Sequence, residues 1–150
     1  MGVCGRRTVP SALQGDAGLP PLLLDTNVLT YLTDDRNLHP EWDAVVRGRT
    51  LVLSFFTVGE ILHGILIASW PKARIAAIES RLLAYPVIPG TIAVSRKFAE
   101  LRRWFYGQIG DNDLWIAACV LAHPEPVSLA TSDADFDQIA TRFPLDIVRP

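Results

Sequence analysis

Three consecutive leucines, Leu22-Leu23-Leu24, run directly into Asp25. An apolar run this short, with no polar alternation, is the profile of a strand covered on both faces, as strands of a parallel sheet are. Leu51-Val52-Leu53 repeats it, and Val87-Ile88 between two prolines, Val127 to Ala130, and Ile147-Val148 complete about five short strand candidates. Between them the apolar spacing becomes helical over Val28 to Leu32, Glu41 to Arg47, Phe55 to Ala68, Lys72 to Leu83, Ile92 to Phe105, Leu114 to Leu121 and Ala134 to Ala140. Strands alternating with helices pair in parallel through helical crossovers. The expected fold is therefore α/β, a short, about five-stranded, mainly parallel sheet inside an α/β/α sandwich. Ligands of such sheets bind outside the carboxyl ends of the strands, so the chemistry is to be sought there.

The rest of the chain sets bounds. At 150 residues, 49% hydrophobic and 20% charged, it suits one domain with one core. Residues 1–20, rich in Gly, Pro, Ser and Arg without a period, read as a flexible leader, and 21–150 as the folded domain. The apolar run Leu114 to Ala122 is far shorter than the roughly 20 residues a bilayer span needs. Arg6 and Arg7 are followed by no apolar stretch of signal-peptide kind, so a cytoplasmic protein without membrane contact is expected. Cys4 and Cys119 form neither a disulfide framework nor a zinc pattern. A net charge of −2 gives no global sign of nucleic-acid binding, which in a dedicated binder usually shows as a basic domain or stripe.

Acidic residues mark the strand ends. Asp25 follows the first strand, and Asp133 lies three residues beyond the Val127 to Ala130 strand, so two strands aim carboxylates at one rim. Glu60 sits in an otherwise apolar helix among Phe55, Phe56, Val58, Ile61, Leu62 and Ile65, flanked by Gly59 and Gly64. Asp113 opens the Leu114 to Leu121 helix behind Gly110, Asp111 and Asn112. Each acid has a structural explanation when taken singly. Asp25 fits an Asx-turn with Thr26 and Asn27, Thr57-Val58-Gly59-Glu60 fits a capping box, Asn112 or Asp113 fits a helix cap, and so does Ser132 or Asp133. Those explanations do not account for the set, because four converging carboxylates without a matching Lys or Arg repel one another. A divalent cation removes the repulsion, and an all-oxygen donor set suits Mg²⁺ or Mn²⁺, one ion or two, of the kind used in phosphodiester displacement.

At these residues the sequence resembles the PIN-domain nucleases, most closely the VapC-type toxins of type II toxin–antitoxin pairs. The matching pieces are Leu22 to Leu29 (Leu-Leu-Leu-Asp-Thr-Asn-Val-Leu), Ser54 to Gly64, Gly110 to Ala118 and Leu129 to Phe136, in the family's order, over about residues 21 to 149. The resemblance implies that Asp25, Glu60 and Asp113 are the core metal ligands and catalytic acids, with Asp133 as the fourth acid and Asp135 as its substitute. It implies a Mg²⁺- or Mn²⁺-dependent endoribonuclease acting on tRNA or ribosomal RNA, a homodimer, and a VapB-like antitoxin protein as partner.

Neighbouring residues have less decided roles. Thr26 and Asn27 either orient Asp25 or cap the following helix, and Asp111 is an extra acid that the pattern leaves unassigned. Arg102 and Arg103, with Arg96 and Lys97, either hold RNA phosphates or form a solvated face. His63 stands three residues after Glu60, but a di-iron site needs two such pairs; packing or support of the site is the expectation. Trp104, Phe105 and Trp115 are expected in core or dimer contacts rather than stacked on bases. A phosphatase that places a second Asp two positions after Asp25 is excluded by Asn27, and a receiver domain lacks its Lys after the last strand. No Gly-rich phosphate loop and no G-x-S-x-G occurs. An RNA-processing nuclease without antitoxin, or an inactive module that binds RNA or protein, remains as the alternative reading.

Overall fold

The computed structural model describes residues 18–33 and 38–150. In chain order its elements are β1 (Leu22–Leu24), α1 (Thr26–Thr33), α2 (Glu41–Val46), β2 (Leu51–Ser54), α3 (Phe55–Ile67), α4 (Lys72–Ala84), β3 (Val87–Ile88), α5 (Ile92–Phe105), α6 (Asp111–Leu121), β4 (Ser128–Ala130), α7 (Asp135–Ala140) and β5 (Ile147–Val148). The strands form one sheet in the order β3-β2-β1-β4-β5. Every pairing is parallel, with Leu22 opposite Leu51 on one side and Ser128 on the other.

Helices cover both faces, which explains the unalternated leucines. Leu22, Leu23 and Leu24 are all fully buried, but successive side chains of a strand point to opposite faces. Leu23, Val52 and Leu129 join Val94, Leu101 and Phe105 of α5, Leu114 and Ile116 of α6, and Phe136 and Ile139 of α7. Leu22, Leu24, Leu53 and Ala130 face the other way, onto Val28 and Leu29 of α1, Trp42 of α2 and Leu82 of α4. Phe105 is buried and Trp115 stacks flat on Phe98 at 3.8 Å between ring centroids, as expected of core residues. Trp104 instead is 49% exposed, with the Arg142 guanidinium 4.1 Å above its ring.

Element ends fall within two residues of the expected ones except at the start of α6. α6 begins at Asp111 rather than Leu114, because its polar first turn carries no apolar signal. The leader read over residues 1–20 lies outside the described residues except for its last three, and its end is tied down. The Pro20 carbonyl accepts from Arg49 Nη2 at 2.8 Å, and the Pro21 carbonyl accepts from the Ser128 backbone N–H at 2.9 Å. Among the described residues no helix is long and apolar enough to cross a membrane.

Candidate active site

The strand order places a crevice at one edge of β1. From β1 the chain builds β2 and β3 on one side, then crosses back to lay β4 and β5 on the other. At such a reversal the loops leaving the carboxyl ends diverge and open a cleft. Asp25 leaves β1 into it, only 4% exposed. Its Oδ1 accepts from the Thr26 N–H at 2.7 Å, and its Oδ2 accepts from Thr131 Oγ1 at 2.8 Å. Thr131, fully buried beyond β4, also accepts from the Asp133 N–H at 3.0 Å, and Asp133 Oδ1 accepts from the Asp135 N–H at 2.9 Å. One threonine hydroxyl therefore joins the β1 acid to the loop that carries the β4 acid.

The remaining two acids arrive from helices. Glu60 lies in the second turn of α3, its Oε2 accepting from Thr26 Oγ1 at 2.5 Å and its Oε1 from Asn112 Nδ2 at 3.2 Å. Asp113 projects from the first turn of α6. Asp25, Thr26, Asn27, Glu60, Asn112, Asp113 and Asp133 line a cleft of about 360 Å³. Asp135 does not line it, yet one oxygen of its carboxylate lies within 4.8 Å of one oxygen each of Asp113 and Asp133, which are as close to one another.

The caps expected of these acids are made otherwise. α3 is capped by Ser54, whose Oγ accepts from the Thr57 N–H, so Glu60 is not the closing residue of a capping box. Gly110 holds the cap position of α6 and Ala134 that of α7, neither with a side-chain bond. Asn112 and Asp113 are therefore helical residues, and Asp133 bonds one position short of a cap. His63 is exposed on α3 and packs in no core cluster. Arg102 pairs with Asp111 at 3.0 Å and lies 4.8 Å over the Tyr106 ring, whereas Arg103 is exposed.

Burial and mutual repulsion show in the proton affinities. Burial, reinforced by Asp133, Asp25, Asp135 and Glu60, pushes the Asp113 carboxyl up to about 6. Asp25 is also raised, first by burial, with Asp133 and Glu60 adding to it against the bonds from Thr131 and Thr26. Among the described residues no Lys or Arg forms an ion pair with Asp25, Glu60, Asp113, Asp133 or Asp135; the nearby pairs are Arg102 with Asp111 and Arg149 with Asp137. The Asp113–Asp133–Asp135 group is one that can hold a metal ion. All its donors are hard oxygens, and the open cleft leaves room for waters and a phosphate.

Three supporting residues escaped the sequence reading. Thr131 had a signal, standing after β4 as Asp25 stands after β1. Asn112 was read only as a cap, although it holds Glu60. Arg149 had none: from beyond β5 it donates to the Thr131 and Asp133 carbonyls at 3.0 and 2.9 Å and grips both oxygens of Asp137.

Comparison with known proteins agrees with this architecture. A chain in the structure of FitAcB from Neisseria gonorrhoeae superposes with a TM-score of 0.70 at 22% identity, over 86% of this chain and 97% of that one. One in VapBC-1 from nontypeable Haemophilus influenzae gives 0.68 at 26%, over 85% and 96%. One in VapBC2 from Rickettsia felis, bound to a DNA fragment from their promoter, gives 0.68 at 20%, over 85% and 96%. No curated protein matches. The PIN domain family model matches residues 22–142, from the first residue of β1 to beyond α7, and with the acids of β1, α3, α6 and the β4 loop gathered inside that span, the chain belongs to the PIN domain family.

Proposed function

We propose that this protein is the toxin of a toxin–antitoxin pair, a Mg²⁺- or Mn²⁺-dependent endoribonuclease whose acids are Asp25, Glu60, Asp113 and Asp133, with Asp135 beside them. The observation that carries the reading is the gathering of acids from four separate elements at one cleft, with no cationic partner among the described residues. PIN domains are generally nucleases, and these acids supply the oxygens that one or two such ions need. A bound ion of this class supplies Lewis acidity toward phosphate oxygens and toward water. Asp25 and Glu60, each braced by two donors, hold fixed directions. Asp113, met by no donor among the described residues, is the carboxylate whose charge is least compensated. Neither cysteine nor histidine lines the cleft, and its one hydroxyl, that of Thr26, is already bonded to Glu60. Arg103 remains available for RNA phosphates, while Arg102 is engaged by Asp111.

A second, larger cavity of about 790 Å³ runs between α1, α3 and α4, with Ile61, Trp70, Ala77 and Ile78 in its walls and Arg74 and Arg81 along it. It shares Glu60 with the acid cleft. A protein segment lying in it would reach the acids, which supports an antitoxin as the partner, in keeping with neighbours solved as VapBC complexes. The test is cleavage of total RNA by purified protein with Mn²⁺ against EDTA, beside Asp113→Asn. Discrete fragments that need both metal and Asp113 are expected; a folded, partner-free protein that cuts nothing would refute the reading. For the partner, Ala77→Arg should abolish co-purification of a small protein while sparing RNA cleavage.

A further inference from the structure

Glu60 is held by more than its immediate neighbours. Behind Thr26 lie two hydroxyls with no solvent exposure, Thr57 and Ser54. Thr57 Oγ1 stands 3.4 Å from Thr26 Oγ1 and 3.0 Å from Ser54 Oγ. Ser54 Oγ in turn accepts from the Thr57 backbone N–H at 2.9 Å. A hydroxyl has one proton to give and a carboxylate has none, so the directions follow from the two ends of the row. Thr26 must donate to Glu60. Ser54 Oγ donates to Thr57 Oγ1, and with the Thr26 proton committed to Glu60 the Thr57 proton is the one left for the contact between Thr57 and Thr26. Every proton runs one way, from the first turn of α3 through α1 and back to a carboxylate one turn further along α3. Bonds aligned in this manner polarise one another.

A valine at position 57 would fill the same space and leave the Ser54 cap intact, since that cap uses the backbone N–H. A buried hydroxyl is costly to desolvate unless it is bonded, and the bonds of this one lead to Glu60. We propose that Thr57 is a positioning residue of the metal site. Its hydroxyl holds the Thr26 Oγ1 that donates to Glu60, and through Thr26 it fixes the direction from which Glu60 Oε2 meets a divalent cation. The inference rests on the reading of Glu60 as a metal ligand given above.

The experiment is Mn²⁺ binding to the RNA-free protein, followed by electron paramagnetic resonance, for wild type, Thr57→Val, Thr57→Ser, Glu60→Gln and the Thr57→Val/Glu60→Gln double variant, each with its melting temperature. Loss of a hydrogen-bonding partner behind a metal ligand weakens binding by about 10–100-fold. The effect here passes through Thr26, so Thr57→Val should lie at the low end, about tenfold. Thr57→Ser should return to within about twofold of wild type, and in the Glu60→Gln background Thr57→Val should shift affinity by less than about twofold. Unchanged affinity in Thr57→Val overturns the proposal, and so does a tenfold loss that persists without the Glu60 carboxylate. If Thr57→Val fails to fold, Thr57→Cys, with its weak S–H donor, takes its place; wild-type affinity there overturns the proposal equally. A wild type that binds no Mn²⁺ brings down the metal-dependent function together with the inference, whereas tight wild-type binding untouched by Thr57→Val brings down the inference alone.

Discussion

Removing the charge of Asp113 should make the metal-free protein more stable. Its carboxyl is raised from 3.8 to about 6, so the folded state holds a proton that the unfolded chain releases. Below about pH 3 both states are protonated and the residue costs nothing. Between about pH 3 and 6 the unfolded chain ionises first, and stability falls as pH rises; above about pH 7 the penalty is complete and constant. A shift of about two units corresponds to ~3 kcal/mol. Water in the open cleft screens the charge, and half of that value, about 1.5 kcal/mol, is the figure to expect. Asparagine keeps the shape, and no described donor is lost with the carboxylate. For a chain of 150 residues the gain is about 3–6 °C in melting temperature. The assay is thermal unfolding followed by circular dichroism in EDTA at pH 7.5 and pH 4, wild type against Asp113→Asn. A variant no more stable at pH 7.5, or one as much more stable at pH 4 as at pH 7.5, would refute the reasoning.

The same substitution at Asp25 should be less favourable by at least about 1 kcal/mol, because an amide nitrogen facing the Thr26 N–H or the Thr131 hydroxyl leaves a buried donor without an acceptor; melts at pH 7.5 that rank Asp25→Asn equal to Asp113→Asn would contradict this. Arg149→Ala removes two bonds to loop carbonyls and should cost about 1–2 kcal/mol, with hydrogen exchange accelerated at residues 131–135 before it changes in β1. Mn²⁺ at a hundred times its dissociation constant should raise wild-type stability by about 2.7 kcal/mol, a gain that EDTA reverses and that Asp113→Asn reduces.

Much of the fold was legible because burial on both faces leaves a mark that needs no neighbour to interpret. Leu22-Leu23-Leu24 and Leu51-Val52-Leu53 lack alternation, and strands so marked fall within a residue of where the pattern put them. Polar segments carry no such mark. The first turn of α6 was therefore missed, and with it the fact that Asp113 projects from a formed helix rather than capping one. Asp25, Glu60, Asp113 and Asp133 stand out in the sequence only as a set, since each alone fits a turn or a helix cap and four carboxylates converging on one rim without a cation do not.

The groups that brace those acids could not be found in this way. Thr26 stands out for its place beside Asp25, not for the Glu60 it meets; Asn112 and Thr57 are ordinary where they stand, and Arg149 sits after the last strand with nothing local to distinguish it. What gives them a role is the distance each closes in space: 52 residues of chain separate Asn112 from Glu60, and 106 separate Thr131 from Asp25. The cleft thus divides into carboxylates that stand out in the sequence as a set, and donors whose partners appear only once the sheet has brought them together. The division has an energetic sense. Asp25 and Glu60 are each met by two fixed donors, while Asp113, met by none among the described residues and raised to about 6, holds charge that a cation entering the cleft would relieve. Preorganised direction and unrelieved charge then fall to different residues, so that the stability lost at Asp113 would become part of the affinity for any ion bound there.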